Sequence, residues 1–76
     1  MKAVRLSQIK RNWHLLTERE QMVIFLRYGL DRYPPEPRTL EQVGRLMPPS
    51  RLSRSGITRE GVRQIEARAI KKIIGE

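Results

Sequence analysis

The amino-acid sequence predicts a single small all-α domain built from four helices. Apolar residues recur at spacings of three and four along four stretches, which is the period of an α-helix with one buried face. Threonines that can cap a helix stand in front of three of these stretches, and glycine or proline separates them. With 76 residues the chain can form one core only.

The first helix is predicted over residues 4–15. Its apolar side is formed by Leu6, Ile9, Trp13 and Leu16. A lone tryptophan at helical spacing belongs more often to a core than to a binding surface, so we expect Trp13 to contribute to the core.

The second helix is predicted to begin after Thr17, because Glu20 three positions later completes a capping box. Its apolar residues are too many for one narrow stripe, so it should be the most buried element and pack on two sides. They are Met22, Val23, Ile24, Phe25, Leu26 and Tyr28. Gly29 should end this helix in the left-handed conformation, with Leu30 folding back on the last turn. The prolines within residues 33–37 then predict a rigid surface loop.

The third helix is predicted to start at Thr39, which stands at capping-box spacing from Gln42. Pro48 and Pro49 end it, and a polar, basic loop is expected from Ser50 to Gly56. Four apolar residues are able to face the core, namely Leu40, Val43, Leu46 and Met47.

The fourth helix, expected within residues 57–74, carries two different faces. The apolar stripe consists of Val62, Ile65, Ala69 and Ile73. An arc of roughly 140° on the other side holds Arg59, Glu60, Arg63, Gln64 and Ala67. Arginine, glutamate and glutamine match guanine, the cytosine amino group and adenine in a DNA major groove, and alanine can touch a thymine methyl. Periodicity alone favours an ordinary solvated polar face over a DNA-reading one.

The first turn of this helix contains one unfavourable residue. Thr58 can cap the helix, but Gly61 stands where a capping box needs Glu or Gln. Glycine in a helix costs about 1 kcal/mol relative to alanine. We therefore expect half a capping box and a more mobile first turn.

The charge of the chain is strongly basic. Sixteen Lys and Arg against eight Asp and Glu give a net charge of +8. Residues 51–72 hold seven basic and two acidic side chains, hence +5, whereas residues 34–50 are neutral. The expected partner is a polyanion, and charge alone is compatible with DNA, RNA or an anionic membrane.

Several classes of protein are disfavoured. The absence of cysteine excludes disulfides and thiolate metal sites, and the single His14 cannot form a metal site with other imidazoles, so no cofactor is expected. No nucleophile with a base and no phosphate-binding glycine loop is present, which argues against an enzyme. Without an apolar run of roughly 18 residues or a secretory signal, the protein is expected in the cytosol. A membrane-active helix is disfavoured because the fourth helix needs its apolar stripe for the core.

A short capped helix, a connection and a basic helix with outward base-matching side chains form the arrangement of a helix-turn-helix. Three segments of the chain carry a more specific signal. They are L-T-E-R-E-Q-M-V-I-F-L-R-Y-G-L-D, R-T-L-E-Q-V-G-R-L and I-T-R-E-G-V-R-Q-I-E-A-R-A-I-K-K-I. In this order they resemble region 4 of the bacterial sigma-70 family, the promoter-recognition subunits of RNA polymerase. The resemblance covers about residues 16–73. It implies a nucleoid-associated domain that reads the minus-35 promoter element in double-stranded DNA and docks on the flap of the polymerase β subunit.

The resemblance also implies functional residues. Base reading falls to Arg59, Glu60, Arg63 and Gln64, with Arg63 touching the DNA backbone as well. Phosphate contacts at the start of the third helix fall to Arg38, Thr39 and Leu40, where free amides and the helix dipole favour an anion. Basic charge adds five further candidate phosphate contacts, which are Arg51, Arg54, Arg68, Lys71 and Lys72.

The sequence departs from the family pattern in the connection between its last two helices. Pro48–Gly56 provides nine residues, where a helix-turn-helix has a turn of about 3–4. This loop could extend outward and add phosphate contacts, or it could shift the fourth helix and weaken its sequence preference. The chain is also too short for the other sigma domains, so it is either a C-terminal piece of a sigma factor or a small protein containing region 4 only.

The alternative function is a protein-binding regulator. Such a domain would engage RNA polymerase or an anti-sigma factor and read DNA weakly or not at all. Its expected working face is apolar and consists of Ile24, Phe25, Leu30 and Leu52.

Overall fold

A computed structural model describes residues 5–47 and 57–75. These residues form four α-helices, with a 3-10 turn at Trp13–Leu15 after the first: α1 Leu6–Asn12, α2 Glu18–Arg27, α3 Leu40–Leu46 and α4 Arg59–Ile74. Strands are absent from these two ranges, and the predicted all-α, four-helix fold is confirmed. Within the same ranges, no helix has the length and apolar character needed to cross a membrane.

Helix α4 contacts all three other helices, and its apolar stripe belongs to two clusters. The cluster at the C-terminal half of α4, called the C-terminal cluster, contains Ile9, Leu16, Ile24, Ala69 and Ile73, with Trp13 packed against it. The cluster at the N-terminal half of α4, called the N-terminal cluster, contains Val23, Val43, Met47 and Val62, with Ile57 and Ile65 packed against it. The sequence neighbours Val23 and Ile24 thus enter different clusters, which confirms the two-sided packing predicted for α2.

The predicted starts of α2, α3 and α4 are confirmed, whereas α1, predicted from residue 4, begins at Leu6. The backbone N–H of Glu20 donates to the hydroxyl of Thr17, and the Thr17 N–H donates to the Glu20 carboxylate at 2.8 Å. Thr39 and Gln42 form the same reciprocal pair. Before α4, the N–H of Gly61 donates to the Thr58 hydroxyl at 3.1 Å, which is the expected half of a capping box.

The end of α2 also follows the prediction. Gly29 has a φ of 67°, and the N–H of Leu30 donates to the carbonyl of Phe25 at 2.9 Å. A side chain at Gly29 would run into the backbone carbonyl of Glu36, so the glycine also permits a close approach of the following loop. All residues from 33 to 37 are exposed, which confirms the surface position of the proline-rich loop.

Two packing predictions need correction. Leu46, which the spacing allows to face the core, is instead 55% exposed because α3 is short and packs through Val43 and Met47. The predicted burial of the apolar residues of α2 was also too extensive. Met22 and Phe25 lie 40% and 41% exposed on a flank that neither cluster covers.

Candidate nucleic-acid interface

The outward face of α4 has the composition and exposure that the sequence predicts. All five residues of this face are exposed, while Val62 and Ala69 on the opposite side are buried. They are Arg59, Glu60, Arg63, Gln64 and Ala67. Four polar side chains capable of contacting base edges therefore lie together on the first two turns of α4, whose opposite side is packed in the core.

Two of these side chains are paired with each other. The guanidinium of Arg63 donates from Nε to Oε2 of Glu60 at 2.9 Å and from Nη2 to Oε1 at 2.5 Å. The hydrogen bonds from Arg63 lower the pKa of Glu60, and the same contact raises the pKa of Arg63, so both are charged at neutral pH. An exposed pair of this kind contributes little to stability, which leaves both groups free to exchange this contact for DNA.

Helices α3 and α4 are held together on both sides of the long connection. The N–H of Ile57 donates to the carbonyl of Gly44 at 3.2 Å, and a side chain at Gly44 would collide with the carbonyl oxygen of Ile57. Met47 and Ile57 both belong to the N-terminal cluster or pack against it. The two residues that bracket segment 48–56 are thus anchored on one cluster, and α3 remains packed against α4.

The segment 48–56 itself lies outside the residues that the structure describes. This segment includes Arg51, Arg54 and the two prolines expected to end α3. Their contacts and the course of the loop stay predictions.

Arg38 is placed differently from the other candidate phosphate contacts. Its side chain is 8% exposed and forms two hydrogen bonds to the carboxylate of Asp31, at 2.7 and 2.8 Å. It also donates to the carbonyl of Leu26 at 3.1 Å. The guanidinium is therefore occupied inside the domain, which favours a structural part over contact with phosphate. Thr39 is exposed and Leu40 half-buried at the start of α3.

The basic side chains on the second half of α4 divide into two kinds. Arg68 and Lys71 are exposed. Lys72 forms an ion pair with the buried carboxylate of Glu20 at 2.6 Å. Burial alone raises the pKa of Glu20, but hydrogen bonds from Lys72 and Thr17 outweigh it and hold the pKa below the ordinary value. Lys72 thus ties α4 to α2.

A basic cavity of about 460 Å³ lies between the start of α2 and the second half of α4. Besides Arg68, Lys71 and Lys72, it is lined by Arg19. Arg19 is not among the predicted phosphate contacts, because only the packing of α2 on α4 brings it next to the other basic residues.

An apolar groove of about 630 Å³ lies on another side of the domain. Its lining includes Leu6, Trp13, Phe25, Leu30 and Tyr33. Phe25 and Leu30 thus contribute to an apolar surface, as predicted for the alternative function of a protein-binding regulator. Ile24, however, is fully buried, so its assignment to that surface was wrong, and Leu52 lies outside the described residues.

Helix α3 precedes α4 in the chain and packs against it, and α4 carries a polar, base-matching face. This arrangement defines a helix-turn-helix DNA-binding domain. A family model described as Sigma-70, region 4, matches residues 14–73. The chain belongs to this family of sigma-factor domains, as its sequence motifs predict.

Three relatives with similar sequences are sigma factors. RNA polymerase sigma factor SigA from Listeria monocytogenes, from Listeria innocua and from a Bacillus species is in each case 48% identical over 58 residues. The matched part covers 76% of this chain and 13% of each relative. The chain therefore corresponds to a small part of the length of these curated relatives. No solved structure gives a significant match.

Proposed function

We propose that this domain binds double-stranded promoter DNA with sequence preference and reads the minus-35 element with α4 in the major groove. The observation that carries the proposal is the exposure of Arg59, Glu60, Arg63 and Gln64 on one face of a helix whose other face is buried. A recognition helix needs this division, since it must be held rigidly while its first turns contact base edges. Family membership supports the same assignment.

Each reader has a chemical match. Arg59 can donate two hydrogen bonds to guanine, and Gln64 can both donate to and accept from adenine. The hydrogen bonds from Arg63 lower the pKa of Glu60, and the ionised carboxylate can accept from the cytosine amino group. Arg63 is assigned to the backbone and to a base, and it can exchange its exposed pairing with Glu60 for these contacts.

Backbone contacts complete the proposed interface. Arg68 and Lys71 are exposed beside the reading face, which is the surface formed by the four proposed base readers. Thr39 and the backbone amide of Leu40 lie at the start of α3. Arg51 and Arg54 are assigned the same role. Arg38 and Lys72 contribute less, because each already pairs with a carboxylate of the domain. With a net charge of +8, affinity for any DNA should fall steeply as salt is raised.

The apolar groove is proposed as the docking site for the β flap of RNA polymerase. Its lining comes from α1, α2 and the proline-rich loop and includes none of the four readers, so the groove can be occupied while α4 lies on DNA. The same groove favours the alternative function, in which an anti-sigma factor or the polymerase is bound with little DNA reading. The proposed place of action is the cytoplasm, at the nucleoid.

A binding titration separates the two functions. At one fixed salt concentration, the domain is titrated with a minus-35 promoter duplex and with a scrambled duplex of the same composition. Arg59→Ala should cost about 1–3 kcal/mol on the promoter and much less on the scrambled duplex. Arg45→Ala is the matched control, because Arg45 is an exposed arginine of α3 that pairs with Glu41. Equal affinity of the unaltered domain for both duplexes would contradict base reading and favour the regulator.

Retention of core RNA polymerase on the immobilised domain tests the groove. Phe25→Asp places a charge in the groove and should abolish retention. Leu46→Asp is the control, because Leu46 is an exposed leucine on α3 that does not line the groove. Equal retention by both variants would exclude the groove as the docking site.

A further inference from the structure

A bridge of polar contacts joins α4 to the end of α2 and to the start of α3. The Nε of Arg27, on the last turn of α2, donates to Oε2 of Glu66 on α4 at 3.0 Å. Its Nη1 donates to the backbone carbonyl of Arg38. One guanidinium therefore contacts a side chain of α4 and the main chain next to α3 at once. Glu66 is only 15% exposed, so the pair is shielded from much of the solvent.

The contact at Arg38 is reciprocal. The backbone N–H of Arg38 donates to the carbonyl of Arg27 at 3.0 Å, and its side chain donates to the carbonyl of Leu26 at 3.1 Å. The two hydrogen bonds from the Arg38 guanidinium to Asp31 fix the intervening loop on the same structure. Residue 38 is thus held by both its main chain and its side chain on the end of α2.

The positions of Glu66 and Arg38 along the chain show which parts of the proposed DNA interface the bridge connects. Glu66 follows Gln64 by two residues on α4, and Arg38 directly precedes Thr39, the capping residue of α3. The bridge therefore runs between the helix that carries the base readers and the start of the helix that meets the DNA backbone under the proposed function. This connection does not pass through either apolar cluster.

We propose that Arg27 is a positioning residue for DNA reading, and that its bridge between Glu66 and the Arg38 carbonyl sets α3 and α4 in register on the duplex. This inference rests on the proposed function. Contacts to phosphate fix the orientation of a DNA-binding domain, and contacts to bases depend on that orientation. A loosened bridge should therefore reduce discrimination between sequences, while the attraction of a basic domain to any DNA persists.

Arginine suits this position because its planar guanidinium has donors pointing in several fixed directions. Lysine keeps the charge but has a compact ammonium on a flexible stem, which does not hold two acceptors in fixed geometry. Arg27→Lys should therefore lower the ratio of promoter to scrambled affinity about fivefold to tenfold, on the scale of one lost base contact. Affinity for the scrambled duplex should stay the same, because the net charge does.

The Glu66→Gln variant distinguishes a positioning role of the bridge from a general effect of charge on DNA affinity, because the two predict different changes. The substitution removes a negative charge, so charge alone raises affinity for every duplex. The bridge predicts that the promoter-to-scrambled ratio nevertheless falls. Glu18→Gln is the control, since it makes the same change of charge at an exposed position on the first turn of α2. Its ratio should equal that of the unaltered domain.

Amide NMR spectra of the DNA-free domain test the bridge without DNA. Glu66→Gln should shift the amide signals of Arg38 and Thr39, distant in sequence, and Glu18→Gln should leave both in place. Melting curves followed by circular dichroism establish that each variant is folded. If Arg27→Lys does not fold, Glu66→Gln provides the binding test.

The possible failures are distinguishable. Unmoved Arg38 and Thr39 amides in Glu66→Gln would overturn the bridge. A promoter preference in folded Arg27→Lys and Glu66→Gln equal to that of the unaltered domain would overturn positioning and leave the proposed function intact. An unaltered domain without any promoter preference would contradict the proposed function and this inference together.

Discussion

The two halves of α4 are held in different ways. The C-terminal half packs Ala69 and Ile73 against α1 and α2, and the side-chain amide of Asn12 donates to the Ile73 carbonyl at 2.5 Å. The N-terminal half packs Val62 against α3 and approaches it closely at Gly44. The exposed base-matching face stands on the N-terminal half. One helix thus combines a half that is packed against α1 and α2 with a half that carries the exposed polar face.

This division implies that stability and recognition can be altered independently. Substitutions in the C-terminal cluster should unfold the domain, whereas substitutions on the reading face should change binding and leave folding intact. Substitutions at the junction of α3 and α4 should affect both, because that junction sets where the reading face lies.

The largest effect on stability is expected at Ile73. Ile73→Ala removes a buried side chain from the C-terminal cluster and should lower the free energy of unfolding by about 2–5 kcal/mol, measured by urea denaturation. That is a large share of the stability of a small domain. Ile70→Ala is the control, because Ile70 is only half-buried on the same helix. Equal losses at both positions would contradict the anchoring role of the C-terminal half.

Gly44→Ala should disturb the junction of α3 and α4. The added methyl group would collide with the carbonyl oxygen of Ile57, and overpacking of this kind costs about 1–3 kcal/mol. The helices must move apart, so promoter preference should fall with stability. Urea denaturation and the duplex titration measure the two effects. A variant with unchanged stability would show that α3 and α4 do not approach as closely as described.

Gly61→Ala should have a smaller effect of the opposite sign. A methyl group at Gly61 would lie 3.4 Å from the Thr58 hydroxyl and 3.8 Å from Cβ of Ile57, which are ordinary contacts. Alanine is the better helix former, so the free energy of unfolding should rise by about 0.5–1 kcal/mol. Hydrogen exchange of the first-turn amides should slow as well. Destabilisation would show that the position requires glycine.

Acid should weaken the C-terminal half through Glu20. The pKa of this carboxyl lies below its ordinary value of 4.5, so its ion pair stabilises the folded state above that pH. The contribution is lost as the pH falls through the lowered pKa of the folded state. Melting temperatures of the unaltered domain should therefore fall in this acidic range, and those of Glu20→Gln should fall less. Parallel pH profiles would contradict the prediction.

Local features of this fold could be predicted from the sequence. The caps at Thr17, Thr39 and Thr58 depend on residues three positions apart, and the two faces of α4 depend on helical spacing. Each signal lies within a few residues, so no knowledge of tertiary packing is needed. The same helical spacing predicts the five exposed residues of the α4 face.

Tertiary ion pairs could not be predicted. Arg38 is predicted as a phosphate contact because it matches a family position that meets the DNA backbone, and nothing in the sequence indicates that Asp31 occupies its guanidinium. Arg27 and Glu66 lie 39 positions apart and meet only through the packing of α2 on α4. The exposure of Leu46 escaped prediction for a related reason, since spacing defines a face of α3 without showing how much of it the neighbours cover.

The most direct test of base reading compares Gln64→Ala with the unaltered domain on a promoter duplex, a scrambled duplex and promoter duplexes changed at one base pair each. Gln64 is exposed on the reading face, so the variant should fold normally. Base reading by α4 predicts a loss of about 1–3 kcal/mol on the promoter, relaxed preference at a single base pair and unchanged affinity for the scrambled duplex. Equal affinities of variant and unaltered domain on every duplex would contradict it.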